Sequence, residues 1–367
     1  MNMRLFVQSY VAAPDPSSTS SIFNTLVATP STPAATNVDL LTQIILEAEK
    51  TFVCGSDMKK DLKAKLKADP SLKEKIRDID APSLRYKDDC FTSYDANRIT
   101  GTHFIAAAGP SHHSFPNFIN QTLFNEKISV KKIIALGDVF GYEADVFQDF
   151  FDYFSGCRKN FTVEQYQIEI KRITGDACES NYQIYPRGII KSTLCIRDTE
   201  NLFADIRQLD LTLIPLEDMA SINLDTTFAG DTISSTLPQE RRAILWQLFQ
   251  DAQNENIVIH CAEGVGRTGH LILTFEIMKE YDRIFSSEKP DLIAAEIHKI
   301  LNRIRENRPP LVSTKKQFAR AIRNAHILHC YGLEKSLAKN AEEQSAHSSS
   351  CNTALDNNEM TNQRFVR

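Results

Sequence analysis

Apolar and polar positions alternate in three recognisable ways along the 367-residue chain. Val38 to Phe52, VDLLTQIILEAEKTF, places apolar residues at helical spacing, and Asp57 to Ile79 continues as a lysine-rich helix broken near Pro70. Leu209 to Asp218, LDLTLIPLED, reads as a strand. Ile257 to His260 is a four-residue β-branched strand, and the apolar run Leu271 to Met278 after it predicts a buried helix. Strand and helix patterns mix from about residue 80 to 333 without the strict alternation of a doubly wound fold and without internal repeats. The fold class expected is α/β, with a twisted central mixed β-sheet flanked by helices and a helical N-terminal extension.

The ends read differently. Residues 13 to 37 are dominated by Ser, Thr, Pro and Ala, and residues 334 to 367 are polar and Ser/Asn-rich, compositions that bury too little apolar surface to order themselves. The expected organisation is a flexible arm over 1–38, a helical extension over 39–80, a catalytic domain over 81–333 and a disordered tail over 334–367. A net charge of −5 gives no reason to expect nucleic acid or a membrane surface as partner. No apolar run approaches the roughly 18 residues of a membrane span. The eight cysteines lie far apart with no CxxC pair, which indicates neither a structural zinc site nor a disulfide framework and points to reduced thiols in a cytoplasmic setting. His112-His113 lacks a third ligand at metal-binding spacing, so no metal is expected.

The chemistry concentrates between strand and helix, in IVIHCAEGVGRTGHL (Ile257 to Leu271). A glycine-rich turn opening onto a helix gathers backbone N–H groups into one concavity, and the helix dipole adds positive potential, so the turn suits a phosphate and favours the thiolate of a cysteine placed there. Cys261 is then a nucleophile, with Ala262, Glu263, Gly264, Val265 and Gly266 forming the anion cradle. Arg267 supplies a planar fork for two phosphate oxygens. The Thr268 hydroxyl can hydrogen-bond the departing sulfur, and His260 can fix the loop.

His260-Cys261, five residues and Arg267-Thr268-Gly269 together resemble the HCxxGxGRTG signature of the protein tyrosine phosphatase family. Arg85 to Ile99 (RYKDDCFTSYDANRI) resembles the N-R-Y-x-D segment of the tyrosine-specific branch. The resemblance implies that Tyr86 stacks on the phosphotyrosine ring and sets pocket depth, and that Asp88 binds substrate backbone. His103 to Leu136 is similar to the Y-I-A-T-Q-G-P segment with its following helix and central strand. Ile304 to Ile322 is similar to M-R-x-x-R-x-x-x-V-Q-T-x-x-Q, with Ser313 at the first glutamine, which positions the hydrolytic water in the family, and Gln317 at the second.

The resemblance implies a phosphotyrosine-protein phosphatase that needs no cofactor and works through a cysteinyl-phosphate. Its general acid is normally an aspartate on a loop after a strand. Aligned to W-P-D, Asp218 takes that role, Leu216 and Glu217 stand for tryptophan and proline, and Asp225 and Asp231 remain rivals. Glu263 adds negative charge where small residues are common, which argues against polyanionic phosphoinositides. A dual-specificity or inositol-phosphate phosphatase and a phosphotyrosine-binding pseudophosphatase are the alternatives. The short connection between Ile99 and His103 suggests a divergent bacterial version, and the polar ends suggest an effector injected into host cells, a virulence role.

Overall fold

The computed structural model describes residues 33–71, 94–110, 114–123, 128–137, 160–163, 165–174, 177–180, 183–186, 189–200, 206–216, 221–224 and 238–362. Two compact units divide the chain, residues 1–43 and 44–367. The described part of the first is the start of helix α1 (Pro33–Lys50), whose remaining residues belong to the second. The helix therefore begins six residues before the expected boundary at 39. Proline is suited to a helix's first turn, where its missing N–H would have had no partner and its fixed φ already fits.

In the second unit α2 (Gly55–Ala68) follows. Eight strands then form one mixed sheet: β1 (Ala96–Arg98), β2 (Phe104–Ala108), β3 (Val130–Gly137), β4 (Asn160–Val163), β5 (Tyr166–Thr174), β8 (Ile190–Asp198), β9 (Arg207–Pro215) and β10 (Asn256–Cys261). Between β5 and β8, β6 (Ala177–Ser180) and β7 (Gln183–Pro186) form a separate ribbon. The sheet order is β1-β2-β10-β3-β9-β8-β5-β4. The strands β2, β10, β3 and β9 run parallel, and the outer pairings are antiparallel. Parallel strands with both faces covered read as continuous apolar runs, which is why Ile257-Val258-Ile259 shows no alternation in the sequence.

Side chains nevertheless divide by face. Ile105, Ala107, Ile133, Ala135, Leu211, Leu213 and Val258 share one cluster with Phe118 and Ile119, which lie in α3 (Phe115–Phe118) and the turn of π-helix after it. Phe104 instead meets Phe275 of α5 (Gly266–Lys279), which also contacts Phe249 of α4 (Pro238–Asp251). Helix α5 is buried from Arg267 to Met278 and so carries little amphipathic signal. Helices α6 (Tyr281–Ile284), α7 (Pro290–Arg305) and α8 (Lys315–Asn362) complete the described chain. None of the described helices is long and apolar enough to cross a membrane.

The tail differs from the expectation of disorder after 333. Helix α8 continues to Asn362. The local reason is the stretch Leu333 to Ala346, rich in Leu, Ala, Glu, Lys and Gln, whose intrinsic helix propensity extends an element already anchored by the buried Phe318, Ile322, Ala325 and Leu328.

Candidate active site

The turn singled out in the sequence lies at the C-terminal end of β10, the strand flanked on both sides by parallel neighbours. Cys261 ends that strand and is buried, 4% exposed. Ala262 continues the pairing on one edge, where its carbonyl accepts the Gly109 N–H at 2.9 Å. Gly264 then turns with φ +65°, a conformation open to glycine, and packs so close to β2 that a Cβ there would lie 2.0 Å from the Ala107 carbonyl oxygen. The Val265 carbonyl accepts N–H bonds from Gly269 (2.9 Å) and Val312 (3.2 Å), joining the first turn of α5 to the segment before α8. Gly266 opens α5. Its face lies against Gln317 and Ser313, since a Cβ on it would stand 3.0 Å from Gln317 Nε2 and 3.2 Å from Ser313 Oγ.

Arg267 is 3% exposed and its Nη1 donates to the Leu216 carbonyl at 3.0 Å. Leu216 directly follows β9, and its N–H donates to the Gly137 carbonyl at 2.7 Å. The arginine expected to bind phosphate therefore also holds the residue aligned to the missing tryptophan. His260 is 2% exposed and meets the Phe118 ring edge-on. Burial lowers its pKa to about 3; the backbone at Cys261 opposes that shift and the charge of Arg267 adds to it. The imidazole is thus neutral and packs beside Cys261. Thr268 is fully buried, and its hydroxyl makes no hydrogen bond among the described residues. Gln317 Oε1 accepts the Ser313 N–H at 3.1 Å. The glutamine therefore braces its own loop as well as lining Gly266.

Glu263 differs from expectation. Its side chain is 60% exposed and its carboxylate pairs with Lys59 of α2 at 3.3 Å. The lysine offsets the charge that the sequence seemed to add to the anion site. The Glu263 carbonyl faces inward, where it accepts Arg308 Nη2 at 2.6 Å. Helix α2 is fastened to the same region by a 2.9 Å bond from the Gly55 N–H to the Ser313 carbonyl.

Arg308 is the largest residue that sequence reasoning passed over. It is wholly buried and donates to both Asp95 carboxylate oxygens (2.9 and 3.0 Å) and to Asn97 Oδ1 (3.0 Å), besides Glu263. A planar fork suits this bidentate grip, and the arginine pins β1 to the anion turn. Its signal was present in the M-R-x-x-R likeness, where Arg305 and Arg308 are the two arginines. Arg305 donates to the carbonyls of Leu311 and Val312, both at 2.8 Å. Val312 holds φ +61°, a strained conformation for a β-branched residue. Strain of this kind persists only where neighbours hold it, and here they are Arg305 and the Val265 carbonyl.

Tyr86, Asp88, Asp218, Asp225 and Asp231 lie outside the described residues. Among the described residues no group of three or more His, Cys, Asp or Glu stands where it could hold a metal ion.

A buried cysteine at a strand end, an amide turn and an arginine in the first turn of the next helix thus stand together at the C-terminal end of β10. The protein-tyrosine phosphatase family model matches residues 230–325, a segment that holds the whole turn and Gln317. No curated protein matches the chain. Similar solved structures include the Trypanosoma brucei protein tyrosine phosphatase TbPTP1, at 13% identity and TM-score 0.47 over 83% of this chain and 94% of that one. PTPN18, from work on its fingerprint on distinct HER2 tyrosine phosphorylation sites, matches at 15% identity and TM-score 0.45 over 75% and 94%.

Proposed function

We propose that the chain hydrolyses phosphotyrosine in proteins through a cysteinyl-phosphate intermediate. The observation that carries this reading is the turn between β10 and α5, where Cys261 and Arg267 bracket the amides of residues 262–266. The Cys261 thiolate attacks phosphorus, the S–P bond forms and the bond to the tyrosyl oxygen breaks, while the carboxyl of Asp218 gives its proton to that oxygen. Water then attacks the phosphocysteine and gives its proton to the Asp218 carboxylate. The S–P bond breaks and inorganic phosphate leaves. Arg267 and the turn amides hold the phosphoryl oxygens as charge shifts among them. Tyr86 walls a pocket too deep for phosphoserine, and Asp88 holds the substrate backbone. Gln317 is the residue left to orient the attacking water, since Ser313 stands at the other position.

The test is release of phosphate from a phosphotyrosine peptide against a phosphoserine peptide, with Cys261→Ser as the dead control. Asp218→Ala should lower turnover of the phosphotyrosine peptide by roughly 10² to 10⁴, the usual worth of acid–base catalysis, while leaving binding intact. No turnover by the wild type would replace this reading with that of a phosphotyrosine-binding protein. Faster release from phosphoserine or an inositol phosphate would replace the substrate class. The further reading, a bacterial effector acting in a host-cell cytoplasm, rests on the composition of residues 13–37 and 334–367. Unchanged export of chains lacking either stretch would remove it.

A further inference from the structure

A trans peptide unit is planar, with its carbonyl and its N–H on opposite sides, so a group that holds one residue's carbonyl also aims the next residue's N–H. Three carbonyls of the turn after Cys261 are held in this way. The Gly109 N–H takes that of Ala262, Arg308 that of Glu263, and the N–H groups of Gly269 and Val312 take that of Val265. The last pair pulls along α5, so the Gly266 N–H points the other way, out of the helix N-terminus and into the turn.

Val312 holds Val265 at a cost. It is fully buried and its φ of +61° is strained for a β-branched residue. The same planar rule says what aims its N–H. Arg305 Nε takes the Leu311 carbonyl at 2.8 Å, which turns the Val312 N–H away from Arg305 and onto the Val265 carbonyl at 3.2 Å. Arg305 Nη2 takes the Val312 carbonyl as well, at 2.8 Å, so one guanidinium fixes the peptide units on both sides of the strained residue. Gly269 admits the close approach, since a Cβ there would lie 2.4 Å from the Val312 nitrogen.

Arg305 is itself seated with care. It is 6% exposed, and its guanidinium lies 5.0 Å over the Phe52 ring, which stacks on Phe318 of α8 at 4.7 Å. Burial lowers its pKa to about 10, with the nearby Cys54 opposing, so it stays charged at neutral pH. Among the described residues no carboxylate pairs with it, and its acceptors are the two carbonyls. The Phe52 face supplies what a carboxylate would otherwise give, attraction for a desolvated cation.

We infer that Arg305, seated on Phe52, is a positioning residue for phosphate: through the strained Val312 it keeps the Val265 carbonyl turned outward and the Gly266 N–H turned into the anion turn. The inference rests on the reading of that turn as the phosphate site. Without the fork, Val312 relaxes to a negative φ and its N–H leaves Val265. Cys261 and Arg267 keep their places, and the turn loses a preorganised donor.

The experiment measures phosphate affinity in the full-length wild type, Arg305→Lys, Phe52→Leu and Phe52→Tyr. Iodoacetate labelling of Cys261, read by mass spectrometry of its peptide at pH 6, is slowed by inorganic phosphate, and the concentration dependence gives Kd. Arg305→Lys should weaken phosphate by about tenfold or more and Phe52→Leu by at least about threefold, while Phe52→Tyr, which keeps the ring face, should stay within about twofold of wild type. Urea midpoints report stability separately. Wild-type affinity in Arg305→Lys and Phe52→Leu, whatever stability they lose, would reduce both residues to structural supports and overturn the inference, as would a Phe52→Tyr as weak as Phe52→Leu. Should Arg305→Lys fail to fold, Phe52→Leu decides alone. A wild-type Cys261 that phosphate does not protect would overturn the phosphate reading of the turn itself.

Discussion

Replacing Arg308 tests how the anion turn is supported. The wild-type guanidinium is wholly buried and makes four hydrogen bonds, two of them to Asp95, whose side chain is 22% exposed. Arg308→Met keeps an apolar stem of similar length but removes every donor. Breaking a buried ion pair from one side costs about 3–5 kcal/mol. Because Asp95 can recover some water, the lower end applies, and the bonds lost at the Asn97 and Glu263 oxygens add up to about 1 kcal/mol. A loss of about 3–4 kcal/mol is a large share of a typical stability of about 5–15 kcal/mol. Urea unfolding followed by fluorescence measures it, and Arg308→Lys should fall between, since an ammonium keeps the charge without the fork. A double-mutant cycle with Asp95→Asn should return a coupling of at least about 1 kcal/mol. Turnover should fall as well, by roughly 10- to 100-fold, because the Glu263 carbonyl loses its anchor within the turn. A destabilisation under about 1 kcal/mol for Arg308→Met, or losses that simply add in the cycle, would refute this account.

Three further outcomes are expected. Gly264→Ala should abolish turnover and lower stability by at least about 1–2 kcal/mol, the cost of the left-handed conformation alone, before the 2.0 Å approach to Ala107 is counted; phosphate release and a thermal melt check it. Lys59→Ala should change the urea midpoint by less than about 1 kcal/mol in stability, since its partner Glu263 is 60% exposed, and raising the salt concentration should erase the difference. The folded-state pKa values of His260 and His270, about 3 and about 4, lie below the ordinary 6.5, so the unfolded chain binds the extra protons. Stability should therefore be full above pH 6.5 and fall as the pH drops toward 4, by about 1.4 kcal/mol per pH unit for each histidine once well below 6.5; urea midpoints from pH 7 to 5 should follow this, with a shallower slope in His270→Gln.

The turn from Ile257 to Met278 was legible because its signals are local: β-branched residues for a central strand, glycines where backbone crowds backbone, and an apolar run for a buried helix. Arg308 was visible only as part of a likeness. Its partner Asp95 is 213 residues away, and no periodicity links positions so distant. The bonds of the Asn324 amide with the Ile222 carbonyl and with His270 are hidden for the same reason, as the three come from different parts of the chain. The end of α8 was misread because polarity was taken for disorder, although Ala, Glu, Lys and Gln are polar or small and good helix formers at once. Glu263 shows the limit of reading charge from position, because its carboxylate and its carbonyl face opposite demands.

The arginines around the turn take hold of main-chain oxygens at 216, 263, 311 and 312. Every residue type offers the same carbonyl, so this grip is blind to what side chain stands there. A change of side chain at those positions is then inexpensive in geometry, since the donors keep the same main-chain partners. The arginines themselves enjoy no such freedom, since lysine lacks the fork.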